Sequence, residues 1–392
     1  MSEPRRFSGS PAAAALWSQE WRQGWPASEV LLLLAATETA AMPGISAAGT
    51  TPETRLRTAA ADAELLLLGP SLPLPHALPP LPAGVSPALI GHVVLRELAL
   101  EALVVDLGCT IAPGVPHRRP PDPAAAGPAR CLSTGAAMDL ARVEALLALG
   151  RQWGASEGQA APQRPLLLAE CVPGGTTTAL GVLTGLGVAA DGLVSGSLRC
   201  PAHGLKAALV ARGLEAAATR GSANGPGADP LQVVAALGDP MQPLAAALAL
   251  AAAAAGRPVL LAGGSQMAAV LALALALAPA SFRPRLSERV ALATTAWLAA
   301  EADSDLPLLL ERIGARWGVA PLAFAADLRF TADLHPALAD YERGYVKEGV
   351  GAGGLALLWQ LSGRSPDALA AACDRACHQL LGPARRLRSG DG

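Results

Sequence analysis

Four times along the chain a short apolar run ends at a glycine-bearing turn and gives way to an alanine- and leucine-rich segment. VLLLLAA (30–36) precedes TETAAMPGISAAG, ALVVDLG (102–108) precedes CTIAPGVP, PLLLAE (165–170) precedes CVPGGTTTALG, and PVLLAGGS (258–265) precedes MAAVLALALAL. Strands that read as continuous apolar runs are covered on both faces, which is the condition of a parallel sheet. Helical patterns separate them, among them SPALIGHVVLRELALE (86–101) and DLARVEALLALGRQWG (139–154). The alternation predicts an α/β fold: a doubly wound, mainly parallel sheet with helices on both faces. The chain ends add a small helical subdomain. The expected plan is a helical or flexible flank over 1–28, an α/β domain over 29–363, and a C-terminal helix and tail over 364–392.

Composition removes several function classes. Hydrophobic residues are 52% and charged residues 16% of 392, enough apolar material for a large core. Thirty basic against thirty-two acidic side chains leave a formal charge of −2, so the basic footprint of a nucleic-acid partner is missing. The uncharged stretch 258–281 is long enough to cross a bilayer, but Gly263, Gly264, Ser265 and Gln266 break it, and a buried strand, turn and helix explain it. Neither a membrane nor a nucleic acid is expected as a partner. Six scattered cysteines and no secretory signal pattern fit a reducing cytoplasm. Cys373, Cys377 and His378 lie one helical turn apart without a second ligand cluster, so no metal is expected. Segments 69–85, 112–130 and 155–164 read as surface connections.

Ligands of such sheets bind where strands run into loops at their carboxyl ends. At 170–178, Glu-Cys-Val-Pro-Gly-Gly-Thr-Thr-Thr places a carboxylate before Gly174 and Gly175 and hydroxyls at Thr176 and Thr177. Backbone N–H groups, hydroxyls and a helix N-terminus suit a phosphate; an ordinary helix cap is the alternative. The G-K-[ST] of a nucleoside-triphosphate loop is absent. Lys206, the only lysine before Lys347, opens a helix and could reach a phosphate, though a lone lysine is more often solvated. Glu348 heads Gly349-Val-Gly351-Ala-Gly353-Gly354 before an apolar helix. Burial there would raise its pKa toward that of a general base, whereas a water-facing loop would leave it inert. Two loose dinucleotide patterns, from Gly185 and from Gly349, do not follow a strand and are set aside.

Taken in order, these motifs resemble the nicotinate-nucleotide:dimethylbenzimidazole phosphoribosyltransferases of cobamide assembly, and in particular their divergent archaeal and cyanobacterial branch. TETAAMPGISAAG, ECVPGGTTTAL and GDPMQP carry the likeness to that branch, over about 29–363. The studied enzymes' G-E-M-G-I-G-N-T-T spacing is met by Glu170, Gly174 and Thr176, their phosphate-associated lysine by Lys206, and their PVLLDGF turn by 258–264. DPLQVVAALGDPMQPLAAAL (229–248) matches a further family segment. The G-E-G-T-G-A motif holding their catalytic base aligns with Lys347-Glu-Gly-Val-Gly-Ala352. Their D-H-G-V phrase is replaced by Ala36-Thr-Glu-Thr-Ala40, a departure that bears on the acceptor base.

The resemblance implies transfer of phosphoribose from nicotinate mononucleotide to an aromatic base, with nicotinate released, in a homodimer that uses no cofactor. It implies Glu348 as base and Glu170 as stabiliser of positive charge on the ribose. Gly174, Gly175, Thr176, Thr177, Lys206, Gly263 and Gly264 would hold the nucleotide. A nucleotide-binding protein without turnover is the competing reading.

Overall fold

The computed structural model describes residues 4–382 apart from 72, 122–125, 161–163, 222–224 and 226; the end of the expected C-terminal tail, RRLRSGDG, lies outside the described residues. Its eight strands are β1 (Arg5–Ser8), β2 (Glu29–Leu34), β3 (Ala102–Asp106), β4 (His117–Arg118), β5 (Leu166–Cys171), β6 (Val259–Ala262), β7 (Val290–Thr295) and β8 (Leu322–Ala326). They form one sheet in the order β1-β8-β7-β6-β5-β2-β3-β4. All neighbours are parallel except β1, which pairs antiparallel with β8 at the edge. The doubly wound sheet therefore stands as expected. The N-terminal flank contributes the edge strand β1 as well as the helix Pro11–Gly24.

Successive strand residues feed two different cores, as the period-two pleat requires. Leu31, Leu33, Leu166, Leu168 and Leu261 point into one apolar cluster with the helices Gly175–Gly185, Met241–Ala254 and Ser265–Leu277. Val30, Leu32, Leu34, Leu167 and Leu260 point into the other, with the helices Pro11–Gly24, Thr58–Leu68, Ala88–Glu97, Ala352–Leu361 and Pro366–Leu381. Helices from both chain ends thus share this second layer. There Trp17 stacks on Phe324 with ring centroids 5.1 Å apart.

The three expected connections take other forms, with 112–130 carrying the edge strand β4. Residues 155–160 continue the helix Leu140–Ala160. A Cβ at Gly150 or Gly154 would lie 2.5 Å from Leu244 O or 2.7 Å from Ala251 Cβ, so these glycines let this helix close onto Met241–Ala254. The proline-rich 69–85 segment does not simply cross the surface, because residues from Leu78 onward wall a cavity. Its anchor is Glu64, fully buried, whose carboxylate accepts from His76 N (2.7 Å), His76 Nδ1 (2.6 Å) and Gly114 N (2.7 Å).

The stretch 258–281 resolves into β6, a turn at Gly263–Gly264 and the helix Ser265–Leu277. Among the described residues no helix is long and apolar enough to cross a membrane. Gly185 closes the helix Gly175–Gly185, so the dinucleotide-like pattern beginning there follows a helix. Cys373 and Cys377 are buried in Pro366–Leu381, and no metal-holding group occurs among the described residues.

Candidate active site

The strand order reverses at β2. Chain leaving β2 builds β3 and β4 on one side, then returns to place β5 and its successors on the other. Loops leaving β2 and β5 diverge at such a point and leave a crevice beyond the strand ends. A cavity of about 340 Å³ opens there, within the range of small-molecule sites. Ser46–Ala48 reach it from the β2 loop, Glu170–Gly174 and Thr176 from β5, Gly264–Gln266 from β6, and Glu348–Val350 from the segment before Ala352–Leu361. The β2 loop is held by buried Arg55, whose guanidinium donates to Ala40 O (2.6 Å), Gly49 O (3.2 Å) and Met42 O (3.4 Å).

The two carboxylates singled out in the sequence meet in this cavity. Glu170, 3% exposed near the end of β5, accepts from Val172 N at 3.2 Å. Burial pushes its carboxyl up to about 8, and the nearby Glu348 adds to the rise. The sites are joined through the backbone as well, since Val350 N donates to Glu170 O at 3.0 Å.

Glu348 is only partly exposed and held on all sides. Oε2 accepts from Thr294 Oγ1 (2.8 Å) and Thr295 N (2.9 Å), and Oε1 from Gly349 N (3.1 Å) and Gly353 N (3.0 Å). Burial raises its pKa, while these four donors pull it back toward the carboxylate range. The loop that delivers it is strained: Val346 and Val350 have φ of +56° and +53°, which β-branched residues rarely adopt. Each such residue costs about 1–3 kcal/mol and persists only where the surroundings impose it. One restraint is buried Lys347, which donates to Leu198 O at 2.8 Å and pairs with the carboxylate of Glu301. Gly353 is the other requirement. A Cβ there would meet Thr294 C at 2.2 Å and Glu348 Oε2 at 2.4 Å.

The expected phosphate residues divide. Gly174 and Thr176 line the cavity, and Gly174 has φ +80° with Ala40 N 2.9 Å from where its Cβ would be. Gly175 and Thr177 do not line it: their N–H groups donate within the turn, to Val172 O (2.8 Å) and Gly174 O (2.9 Å). Gly264 lines the cavity, whereas Gly263 sits behind it beside Glu170. Lys206 is neither a solvated charge nor a cavity wall. It is fully buried, donates to Ser195 O, and lies behind Gly196, whose Cβ would be 3.1 Å from Nζ. Burial lowers its pKa to about 7. The loop it supports, Ser195–Ser197, does line the cavity and is clasped to the β2 loop, with Ser197 Oγ accepting from Ala47 N at 2.8 Å.

Sequence reasoning missed this loop, Gln266, the Thr294–Thr295 pair at the end of β7, and Asp62 with Ser86. For Asp62 a signal existed: it is an acid inside the apolar run TAAADAELLLL. For the others there was none, because serine, glutamine and threonine are unremarkable residues until the fold brings them together.

Residues 90–283 match the phosphoribosyltransferase family model. A UPF0284 protein of Prochlorococcus marinus (strain MIT 9313) is 52% identical over 379 residues, covering 95% of this chain and 91% of the relative. One from Parasynechococcus marenigrum (strain WH8102) is 52% identical over 371 residues, covering 93% and 91%. Among solved structures, CobT from Thermus thermophilus superposes with a TM-score of 0.55 at 20% identity, covering 96% of this chain and 95% of that one. A nicotinate-nucleotide-dimethylbenzimidazole phosphoribosyltransferase from the same organism gives 0.52 at 19%, covering 96% and 100%. At that identity the structures establish a common fold, and the cyanobacterial relatives establish kinship. The chain therefore belongs to the UPF0284 family, with a phosphoribosyltransferase-type region at its centre.

Proposed function

We propose that the protein transfers the phosphoribosyl group of nicotinate mononucleotide to a nitrogen of an aromatic base and releases nicotinate. The observation that carries this reading is the convergence of Glu170, Glu348 and the Gly174–Thr176 turn on one cavity at the reversal of strand order. The family match and the fold shared with the Thermus enzymes support it.

The phosphate lies against Gly174, Thr176 and the Ser195–Ser197 loop, which fixes the sugar for attack. Lys206 acts from behind that loop as a positioning residue. As the C1′–N bond to the pyridinium breaks, its electron pair returns to the ring nitrogen and positive charge grows on the ribose. Glu170, held largely protonated by burial, gives its proton to solvent as the donor's pyridinium comes beside it and then faces that charge. The attacking nitrogen forms the new bond to C1′, and the proton of its ring passes to Glu348. Four donors saturate that carboxylate, so one must yield. The Thr294 hydroxyl is the one free to rotate away.

The test is to incubate the purified protein with nicotinate mononucleotide and a panel of bases, identifying products by mass. Riboside phosphates with stoichiometric nicotinate are expected. Binding of the nucleotide without nicotinate release from any base would refute transfer.

A further inference from the structure

We propose that Asp62, assisted by Ser86, recognises a hydrogen-bond donor on the acceptor base. The protein would then take amino- or N–H-bearing heteroaromatics in preference to bases carrying only methyl groups at that position. This rests on the transfer reading above and adds the class of acceptor to it.

Asp62 projects from the helix Thr58–Leu68 and lines the same cavity as Glu170 and Glu348, yet it is only 6% exposed. One carboxylate oxygen accepts the Ser86 hydroxyl at 2.6 Å. The other meets only the Cys171 thiol, with Sγ 3.6 Å away, and a thiol is a weak donor. Among the described residues no cationic side chain pairs with it. A buried carboxylate with an unspent acceptor and no counter-ion is costly unless the occupied state supplies a donor. The same cavity is also lined by apolar Leu78, Pro80, Leu81 and Val85, which suit the faces of a flat ring. Flat apolar contacts with one acceptor at the edge describe a ring bearing an amine or N–H. A methyl group in that place would leave the carboxylate unpaired. A site built around such a bond discriminates strongly against analogues that lack the donor.

The experiment sets isosteric pairs against each other at saturating nicotinate mononucleotide: 5-aminobenzimidazole with 5-methylbenzimidazole, and 6-aminopurine with 6-methylpurine. Product ratios are read by mass. The amino base should win by about tenfold or more in at least one pair. Asp62→Asn turns an amide donor toward the ligand and should bring that ratio to unity or invert it, while nucleotide affinity is unchanged by calorimetry. Ratios near one in the unmodified protein overturn the proposal, and so does a ratio that Asp62→Asn leaves alone. If that variant fails to fold, the unmodified protein's ratios decide. Transfer to methyl bases as readily as to amino bases sinks this inference alone, whereas no transfer to any base sinks the transfer reading and this inference with it.

Discussion

Replacing Glu170 by Gln should stabilise the protein, and the gain should grow with pH. The unfolded carboxyl titrates near its ordinary 4.5, whereas burial and Glu348 hold the folded one at about 8. Between those values the native state keeps a proton that the unfolded chain gives up, so stability falls as pH rises. The loss is absent below about pH 4.5 and complete above about pH 8. Three and a half pH units at about 1.36 kcal/mol each set an upper limit near 5 kcal/mol. Relaxation and water entering the cavity reduce this to about 2–4 kcal/mol. Gln keeps the shape and carries no charge, so it escapes the loss. At about 2.1 cal/mol/K per residue, 392 residues unfold with an entropy of about 0.8 kcal/mol/K, and 3 kcal/mol becomes about 4 °C in Tm. Calorimetry of both proteins from pH 5 to pH 9 reads it directly. Lys206, lowered to about 7, contributes in the opposite sense, with stability rising between about 7 and 10.5. Since both proteins contain Lys206, the Tm difference cancels it. A difference that stays flat with pH, or that favours the native Glu at pH 9, would refute the reasoning.

Other expectations follow from the same geometry. Glu348→Gln should reduce transfer at least about a hundredfold while nucleotide binding survives by calorimetry; wild-type turnover in that variant removes Glu348 as the base. Thr294→Val leaves Glu348 with one donor fewer and should move the limb on which the rate rises with pH to higher pH, since that donor lowers the carboxylate's pKa; an unmoved limb dissociates Thr294 from proton transfer. Lys206→Met keeps the buried bulk but frees Ser195 O, so the KM for the nucleotide should rise about tenfold with kcat less affected. Equal losses in both would instead mark a contact made in the transition state. Gly353→Ala should cost several kcal/mol and most activity, because its Cβ would enter the Thr294 backbone and the Glu348 carboxylate. A fully active, fully stable Gly353→Ala would show that the helix can shift away from β7.

Much of this was written in local sequence. Apolar runs at 30–36, 102–108, 165–170 and 258–265 became β2, β3, β5 and β6, because a strand covered on both faces must be largely apolar. Glu170 stood out as a charge closing such a run before a glycine turn, and Glu348 as a charge heading a glycine cluster before an apolar helix. The outer strands were not legible: β1 is four residues of mixed polarity, and β4 is the pair His117–Arg118. Their pairing partners, not their composition, make them strands.

What the linear chain determined by itself was the class of fold and the strand-end loops that hold the chemistry, since burial on both faces and the need for turns act over a few residues. Which loops share a cavity was decided by strand order. The return of the chain past β2 set Glu170 beside the sequence-distant Glu348, sent Lys206 behind the cavity wall, and opened the wall to Asp62. No local preference encodes such placements, because the desolvation and charge repulsion that tune these groups arise only once distant segments have excluded water together.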